Sequence, residues 1–162
     1  MTQERITVRL EAQVGERLKL RHATICTAES CTGGLVASLL TDIPGSSAYV
    51  LGGVVAYSNA VKHALLSVPD DILMEQGAVS AETAAVMASS ARALFGADYA
   101  LSVTGIAGPG GETPTKPVGL TYIGIAGPSR LLEIRRFVWK GDREANKRSS
   151  AEAALRLALE YV

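Results

Sequence analysis

The stretch CTAESCTGGLVASLL, residues 26–40, contains the change of pattern that decides the fold of this chain. The residues ATICTAE are apolar and flanked by turn residues, so they predict a buried strand over 23–29. Two glycines then begin a second apolar segment, which predicts a helix over 33–41. The corner Glu29-Ser30-Cys31-Thr32 therefore joins a buried strand to a helix, and it contains a serine and a cysteine, both of which act as nucleophiles in enzymes.

Helical and strand patterns alternate along the rest of the chain. Ile6, Leu10, Val14 and Leu18 recur every four residues, which predicts a helix over 5–21. Further helices are predicted over 60–66, 70–76, 81–95 and 142–160, and further strands over 49–58, 97–105, 118–127 and 130–140. This order predicts a single domain over 1–162 of the α/β class, a three-layer α/β/α sandwich with a mixed, mostly parallel sheet of about five strands.

Two polar residues are predicted to begin helices. Asn59 is in position to cap the helix over 60–66, and Ser80 is in position to cap the helix over 81–95. The second of these helices is expected to bury Met87, Ala91, Leu94 and Phe95.

The composition narrows the class of function. Hydrophobic residues make up 48% of the chain, which is enough to build a core without disulfides. The 16 Lys and Arg residues balance the 16 Asp and Glu residues, so the basic excess of a duplex-binding domain is missing. A basic amphipathic stretch and an apolar run of the ~20 residues that a transmembrane helix needs are missing as well. We therefore expect neither nucleic acid nor a membrane as a partner.

Cysteine and histidine usage argues against two further classes. Cys26 and Cys31 are the only cysteines, too few for a disulfide framework. His22 and His63 are the only histidines, so a histidine-rich metal site is excluded, and neither a metal nor another cofactor is expected. The polar N-terminus lacks a secretory signal, so a cytoplasmic location is expected.

Three polar segments follow predicted strands, where open α/β sheets bind their ligands. They are the corner at 29–34, the residues Tyr57-Ser58-Asn59 with Lys62 behind them, and Thr104-Gly105 at the start of a Gly/Pro-rich loop over 105–117. Because the carboxyl ends of parallel strands share one edge of a sheet, these segments are expected to converge.

The corner offers two candidate nucleophiles. Ser30 follows a strand and precedes a helix, as the serine of a nucleophile elbow does, although the usual G-x-S-x-G is absent. The alternative is that Ser30 or Thr32 simply caps the helix. Cys31 competes as a nucleophile because a helix N-terminus lowers a thiol pKa, but it also fits the role of a small buried apolar residue.

A nucleophilic serine needs a base, and lysines are better placed than histidines. His22 precedes the first strand and is expected at the opposite end of the sheet. Lys62 lies one helical turn beyond the second strand, and a lysine acts as a base when desolvation keeps it neutral. Lys116, on the glycine-rich loop, is the other candidate. A solvated surface charge is the alternative for either lysine.

Glycines and arginines suggest an anionic ligand. Gly33, Gly34 and the glycines over 105–111 let a ligand approach backbone N–H groups, which suits a phosphate or an oxyanion. No phosphate-loop or dinucleotide-binding glycine pattern is present. Arg143 and Arg148, near the start of the last helix, are candidates for holding a phosphate, with a solvated helix face as the alternative.

Seven ordered blocks resemble a known family over roughly residues 5–160. They are TAESCTGG (27–34), DIPGSS (42–47), YSN (57–59), GAVS (77–80), VTGIAGPGG (103–111), KPVG (116–119) and GDR (141–143). This set is similar to the C-terminal domain of the competence/damage-inducible CinA proteins, a family that includes stand-alone nicotinamide-nucleotide amidohydrolases. The resemblance implies a three-layer sandwich with a mixed sheet, in agreement with the strand and helix pattern.

The resemblance also implies an activity. It implies a metal-free Ser/Lys amidohydrolase that converts nicotinamide mononucleotide to nicotinic acid mononucleotide and ammonia in pyridine nucleotide salvage, with a homodimer as the assembly. Ser30 would be the nucleophile and Lys62 the general base, with Ser47 and Tyr57 in supporting catalytic positions. Arg143 is favoured over Arg148 for substrate binding. The candidate substrate-binding residues are Cys31, Thr32, Gly33, Gly34, Thr104, Gly105, Arg143 and Arg148.

Two other functions remain open from the sequence. One is a nucleotide-binding or regulatory domain that uses the same pocket without chemistry. The other is a hydrolase whose nucleophile is Cys31.

Overall fold

The strand that leads into the corner lies inside the sheet in the computed structural model, which describes residues 9–162. The strands are β1 (Ile25–Glu29), β2 (Val50–Val55), β3 (Tyr99–Gly105), β4 (Leu120–Ala126) and β5 (Leu132–Val138). The α-helices are α1 (Leu10–Arg21), α2 (Leu35–Thr41), α3 (Asn59–Leu66), α4 (Asp70–Glu75), α5 (Ala81–Phe95) and α6 (Arg143–Tyr161), and a short 3-10 turn spans Ser46–Ala48.

The sheet is mixed, as the sequence predicts. Its strand order is β2-β1-β3-β4-β5, with β1 parallel to both β2 and β3 and with β4 antiparallel to both β3 and β5. Four of the five strands therefore run in the same direction. All five residues of β1 are buried, because strands on both sides and helices on both faces cover it.

Helices cover the two faces of the sheet and make the three-layer sandwich. Helices α1, α2 and α6 pack on one another over one face, while α5, with α3 and α4 against it, covers the other. Strand side chains alternate between the layers: Leu101 and Val103 join the core under α6, and Ala100 joins the smaller core under α5. Small side chains such as Ala84, Ala88 and Ala91 allow α5 to lie close to the sheet.

Several predicted boundaries change. The helix predicted over 5–21 is observed from Leu10, and residues 5–8, with Ile6, lie outside the described residues. The helix α3 is capped by Ser58, whose hydroxyl accepts a hydrogen bond from the Val61 N–H at 3.2 Å, so the prediction of an Asn59 cap is wrong. The Ser80 cap of α5 is observed, with an N–H···O distance of 3.1 Å from Thr83.

The buried face of α5 is also narrower than predicted. Met87 and Ala91 are fully buried, but the side chain of Leu94 is 56% exposed, so the prediction that it is buried is wrong. Of the helices in residues 9–162, none combines the length and the apolar character that crossing a bilayer requires.

Candidate active site

The corner after β1 is built around the buried carboxylate of Glu29, which is 1% exposed. Its oxygens accept hydrogen bonds from the backbone N–H groups of Gly34, Val36 and Ala37, at 3.1, 3.0 and 2.9 Å. A carboxylate in this position satisfies N–H groups that have no partner inside the helix and lies at the positive end of the helix dipole. Glu29 therefore anchors the start of α2, and the interpretation that Ser30 or Thr32 caps this helix is wrong.

Ser30 is held at the tip of this corner by its backbone. Its N–H donates to the carbonyl of Val103 at 2.9 Å, and its carbonyl accepts from the N–H of Gly33 at 3.0 Å. Gly33 and Gly34 have φ angles of +62° and +100°, in the left-handed region that favours glycine. The corner is therefore tied to β3 and folded tightly, which fixes the point at which the Ser30 hydroxyl leaves the sheet.

The side chain of Lys62 reaches the Ser30 hydroxyl from α3. Its Nζ lies 2.9 Å from the Ser30 Oγ, 2.8 Å from the carbonyl oxygen of Ala56 and 3.1 Å from that of Tyr57. Lys62 is 1% exposed and Ser30 is 8% exposed, so the contact is shielded from water. The Ala56 and Tyr57 carbonyls accept from Lys62. The strand pattern continues to residue 58, but β2 ends at Val55, which pairs with Glu29, the last residue of its neighbour β1.

Burial changes the acid–base behaviour of Lys62. It lowers the pKa of the Lys62 amine below that of an ordinary lysine, because removing water disfavours the ammonium form. The neighbouring Cys31 acts in the opposite direction, since a thiolate there would favour the ammonium. The net direction is downward, so more of the neutral amine is present at neutral pH than for a surface lysine.

Cys31 is a poor nucleophile in this setting. Burial raises the pKa of its thiol to about 11, so the thiol is protonated at neutral pH. Its sulfur lies 3.1 Å from the position that a Cβ on Gly105 would occupy, which shows how closely it packs against the end of β3. The expectation that the helix N-terminus lowers this pKa is wrong, because desolvation outweighs it. Cys31 fills space beside Ser30.

The end of β3 forms the next wall of the site. Thr104 is 1% exposed and donates a hydrogen bond to the carbonyl of Ala78 at 2.6 Å, which holds the segment before α5 against the strand. Gly105 leaves no room for a side chain. A Cβ there would lie 2.6 Å from the Thr121 hydroxyl and 2.8 Å from the Leu120 carbonyl oxygen.

Arg143, the first residue of α6, closes the arrangement. Its Nη1 donates to the carbonyl of Gly108 at 2.8 Å, and its Nη2 donates to the Tyr57 hydroxyl at 3.0 Å. The last helix, the glycine-rich loop and the segment after β2 are thereby joined. The three strand ends that were expected to converge meet in a pocket of about 250 Å³, whose lining includes Ser30, Cys31, Tyr57, Lys62, Thr104, Gly105, Gly108 and Arg143.

Ser47 does not belong to this pocket within one chain. It is exposed and lies in the turn before β2, next to the start of β1, whose Ile25 N–H donates to the Tyr49 carbonyl. Ser30 lies at the other end of β1, roughly 15 Å away along a five-residue strand. The geometry therefore does not provide the supporting contact with Ser30 that the resemblance implies.

The other candidate bases and the second arginine also lie elsewhere. The ammonium of Lys116 donates to the Gln76 carbonyl, so it anchors the glycine-rich loop to the end of α4. His22 follows α1 at the opposite end of the sheet, as expected, and the Nδ1 of His63 lies 3.0 Å from the carbonyl oxygen of Val68.

Arg148 is exposed, and its Nε donates to Glu152 at 3.2 Å. Thr32 is 1% exposed, and its hydroxyl has no hydrogen-bond partner among the described residues.

The role of Glu29 in the corner is not predicted from the sequence. Glu29 directly follows a buried strand and precedes two glycines and a helix, and acids are favoured at helix N-termini. That signal was present, but a buried carboxylate with three backbone partners is visible only once the corner is folded. Within residues 9–162, no group of three or more His, Cys, Asp or Glu side chains is arranged to hold a metal ion.

Comparison with known sequences identifies the family of this chain. The sequence pattern of the CinA C-terminal domain family matches residues 7–162. This chain belongs to that family. Relatives in the CinA family include the CinA-like proteins of Geotalea uraniireducens, 58% identical over 121 residues, and of Chloroherpeton thalassium, 49% identical over 156 residues. The matches cover 75% and 94% of this chain but only 29% and 37% of those relatives, so the chain spans about a third of their length.

Solved structures of CinA proteins have the same fold. The competence/damage inducible protein CihA from Agrobacterium tumefaciens superposes with a TM-score of 0.90 at 37% identity, over 93% of each chain. The competence-damaged protein (CinA) superfamily protein from Escherichia coli gives a TM-score of 0.90 at 28% identity, over 99% of this chain and 95% of that one. The mixed five-stranded sandwich is therefore the CinA C-terminal domain fold.

Proposed function

We propose that this chain is an amidohydrolase that uses Ser30 as its nucleophile and Lys62 as its general base. The single observation that carries the proposal is the 2.9 Å contact between the Lys62 Nζ and the Ser30 Oγ in a water-excluded setting. The substrate suggested by the resemblance to the CinA family is nicotinamide mononucleotide. The products would be nicotinic acid mononucleotide and ammonia.

The hydrogen-bond partners of Lys62 fit both the neutral amine and the ammonium, as a general base requires. A neutral amine has two N–H donors and one lone pair, whereas an ammonium has three donors and no lone pair. The carbonyls of Ala56 and Tyr57 can only accept, so they occupy the two donors of the neutral amine. The lone pair then faces the Ser30 hydroxyl, which donates its proton to it. The same three contacts suit the ammonium, with the third N–H directed to Ser30, so the amine can take and return a proton without moving.

The reaction follows from that proton transfer. Lys62 takes the hydroxyl proton as the Ser30 Oγ attacks the carboxamide carbon and forms a tetrahedral intermediate. The Lys62 ammonium returns the proton to the leaving nitrogen, the C–N bond breaks, and ammonia departs from an acyl ester on Ser30. A water molecule then attacks the ester while Lys62 accepts its proton, and the carboxylic acid leaves as Ser30 recovers its hydrogen.

Backbone N–H groups at the corner are the candidates for stabilising the oxyanion. The N–H groups of Gly33, Gly34 and Ile106 are already bonded to the Ser30 carbonyl, the Glu29 carboxylate and the Leu120 carbonyl. The N–H groups of Cys31 and Thr32 donate to no backbone carbonyl within residues 9–162, although the Cys31 N–H contacts its own thiol. The residue directly after a nucleophilic serine supplies an oxyanion donor in nucleophile elbows, so we assign this role to Cys31, with Thr32 beside it.

The decisive experiment is ammonia release from nicotinamide mononucleotide by four proteins: wild type, Ser30→Ala, Lys62→Met and Cys31→Ala. We expect Ser30→Ala and Lys62→Met to lose at least about 10³-fold in kcat and Cys31→Ala to keep most of it. Undiminished turnover in Lys62→Met overturns the proposed base. Loss of turnover only in Cys31→Ala identifies a thiol hydrolase, and tight binding without ammonia release identifies a regulatory domain.

The homodimer implied by the resemblance is a separate proposal, supported by one of the two free edges of the sheet. Strand β2 is an edge strand, and its Leu51 and Val55 side chains are 45% and 49% exposed. Exposed apolar edge strands favour pairing with another chain. Sedimentation velocity tests this: wild type is expected to sediment as a dimer and Leu51→Lys as a monomer. An unchanged sedimentation coefficient in Leu51→Lys excludes this edge as the interface.

A further inference from the structure

A second and larger pocket, of about 770 Å³, opens beside the catalytic one. It lies between Leu35 at the start of α2 and the first two turns of α6, and Arg143 lines both pockets. Small-ligand pockets usually measure about 300–1,000 Å³. The catalytic pocket alone, at about 250 Å³, falls below that range. A nucleotide whose carboxamide reaches Ser30 therefore has space to extend into the larger pocket.

Most charges in this larger pocket already have partners. The carboxylate of Asp142 caps α6 by accepting from the Ala145 N–H at 2.9 Å. Arg143 is engaged with Tyr57 and Gly108, and Arg148 with a glutamate one turn further along. Two charged side chains, Glu144 and Lys147, have no hydrogen-bond or ion-pair partner in the part of the chain that the structure describes. Glu144 is exposed, so its carboxylate is hydrated, whereas Lys147 is half-buried.

The position of Lys147 points to the boundary between the two pockets. It follows Arg143 by four residues, so the two side chains share one face of α6. Its Nζ lies 3.8 Å from the position that a Cβ on Gly33 would occupy, which places the ammonium over the corner that carries Ser30. The electrostatic effect of Lys147 on Cys31, where it partly offsets the burial that raises the thiol pKa, agrees with that placement.

We propose that the pocket between α2 and α6 is the anion subsite of the substrate and that Lys147 binds a phosphate there. The inference rests on the proposed function, since the carboxamide at Ser30 fixes where the other end of the molecule lies. A phosphomonoester carries up to two negative charges and accepts several hydrogen bonds, and an unpaired lysine ammonium is a compact donor for it. Lys147 is then the residue that distinguishes a nucleotide from its nucleoside.

The test compares Lys147→Met with the matched control Arg156→Met. Both changes remove one positive charge from α6, but Arg156 is exposed and does not line the pocket. Each protein is assayed at constant ionic strength with nicotinamide mononucleotide and with nicotinamide riboside, which lacks the phosphate. We expect Lys147→Met to raise KM for the nucleotide about 10- to 100-fold with kcat nearly unchanged, because the lost contact is present in both ground and transition states.

The kcat/KM for nicotinamide riboside should be the same in wild type, Lys147→Met and Arg156→Met. An equal loss on both substrates, or no loss on either, overturns the phosphate role of Lys147. Calorimetric titration of nicotinamide mononucleotide into Ser30→Ala, with and without Lys147→Met, separates this inference from the hydrolase proposal. Phosphate-dependent binding that Lys147→Met weakens supports the subsite even if wild type releases no ammonia. Absence of nucleotide binding to wild type overturns the subsite.

Discussion

Replacing Glu29 by glutamine tests whether this carboxylate holds the catalytic corner together. The change keeps the volume of the side chain but leaves one acceptor oxygen where two now serve three N–H groups. The new NH₂ group would face either the Ala37 N–H or the N–H groups of Gly34 and Val36 together, so at least one charge-assisted hydrogen bond is lost outright. The bonds that remain go to a neutral oxygen, which is a weaker acceptor.

The expected magnitude follows from the burial of this group. Hydrogen bonds to charged groups contribute about 1.5–3 kcal/mol and neutral ones about 0.5–1.5 kcal/mol, and a buried N–H without a partner adds its desolvation penalty. Part of the loss is offset because the glutamine, unlike the carboxylate, gives up little hydration on burial. We expect Glu29→Gln to lower the free energy of unfolding by about 3 kcal/mol, a large share of the ~5–15 kcal/mol typical of a domain.

The assay is equilibrium urea unfolding at neutral pH, followed by far-ultraviolet circular dichroism. The control is Glu82→Gln, which removes an exposed acid from the first turn of α5; the Glu82 side chain itself bonds to no backbone group of the described residues. That change should cost at most about 1 kcal/mol, the usual size of a helix-dipole effect. A loss in Glu29→Gln no larger than in the control would refute the conclusion that the carboxylate anchors α2.

Four further predictions concern the site itself. Because burial lowers the pKa of Lys62, the unfolded state binds more protons than the folded state at pH values between the folded and unfolded pKa of this amine. The free energy of unfolding of wild type relative to Lys62→Met should therefore rise with pH above neutrality, by at most about 1.4 kcal/mol per pH unit. A difference between the two proteins that stays constant in urea unfolding from pH 7 to 10 would contradict this. The kcat/KM for ammonia release should rise with pH as Lys62 loses its proton, and it should level off below the pH at which an ordinary lysine is deprotonated. A pH–rate profile without that rise would exclude a neutral Lys62 as the base. Because burial raises the thiol pKa of Cys31 to about 11, this thiol should react with iodoacetamide at pH 7.5 far more slowly than free cysteine. Mass spectrometry measures the labelling, and rapid labelling would show that the thiol is accessible and reactive. Gly105→Ala would place a Cβ 2.8 Å from the Leu120 carbonyl oxygen and should lower the free energy of unfolding by about 1–3 kcal/mol. The control is Gly110→Ala, whose Cβ would have no atom within 4 Å and which should leave urea unfolding nearly unchanged. Equal losses in the two variants would exclude the clash at Gly105.

The architecture could be predicted from the sequence because its signals are local. Each strand is a short apolar run between turn residues, and the helices show a repeat of three to four residues, so type and order follow. Boundaries depend on tertiary contacts. The strand pattern continues to residue 58, but β2 ends at Val55 because its neighbour β1 ends at Glu29, the residue that pairs with Val55. Periodicity identifies a helix face but not its centre, and Leu94 consequently points to solvent.

The site could be predicted only as far as topology determines it. Ser30 and Lys62 are 32 residues apart in sequence, and both follow parallel neighbouring strands, so their proximity follows from the rule on strand ends. The thiol pKa of Cys31 could not be predicted, since it depends on how desolvation compares with the helix N-terminus. The position of Ser47 was also out of reach, because a sequence block does not state which edge of the sheet it occupies.

The position of β1 inside the sheet has a consequence for biosynthesis. This strand leaves the ribosome before every other strand of the described chain, yet its register with β3 pairs Ile25 with Tyr99, 74 residues later. At translation rates of ~5–20 residues per second, one side of β1 lacks its partner for roughly 4–15 seconds. Protease digestion of stalled nascent chains should therefore show protection of β1 only in chains long enough to expose β3 outside the exit tunnel. A strand that is fully buried in the finished protein therefore spends the longest time during synthesis with one edge unpaired.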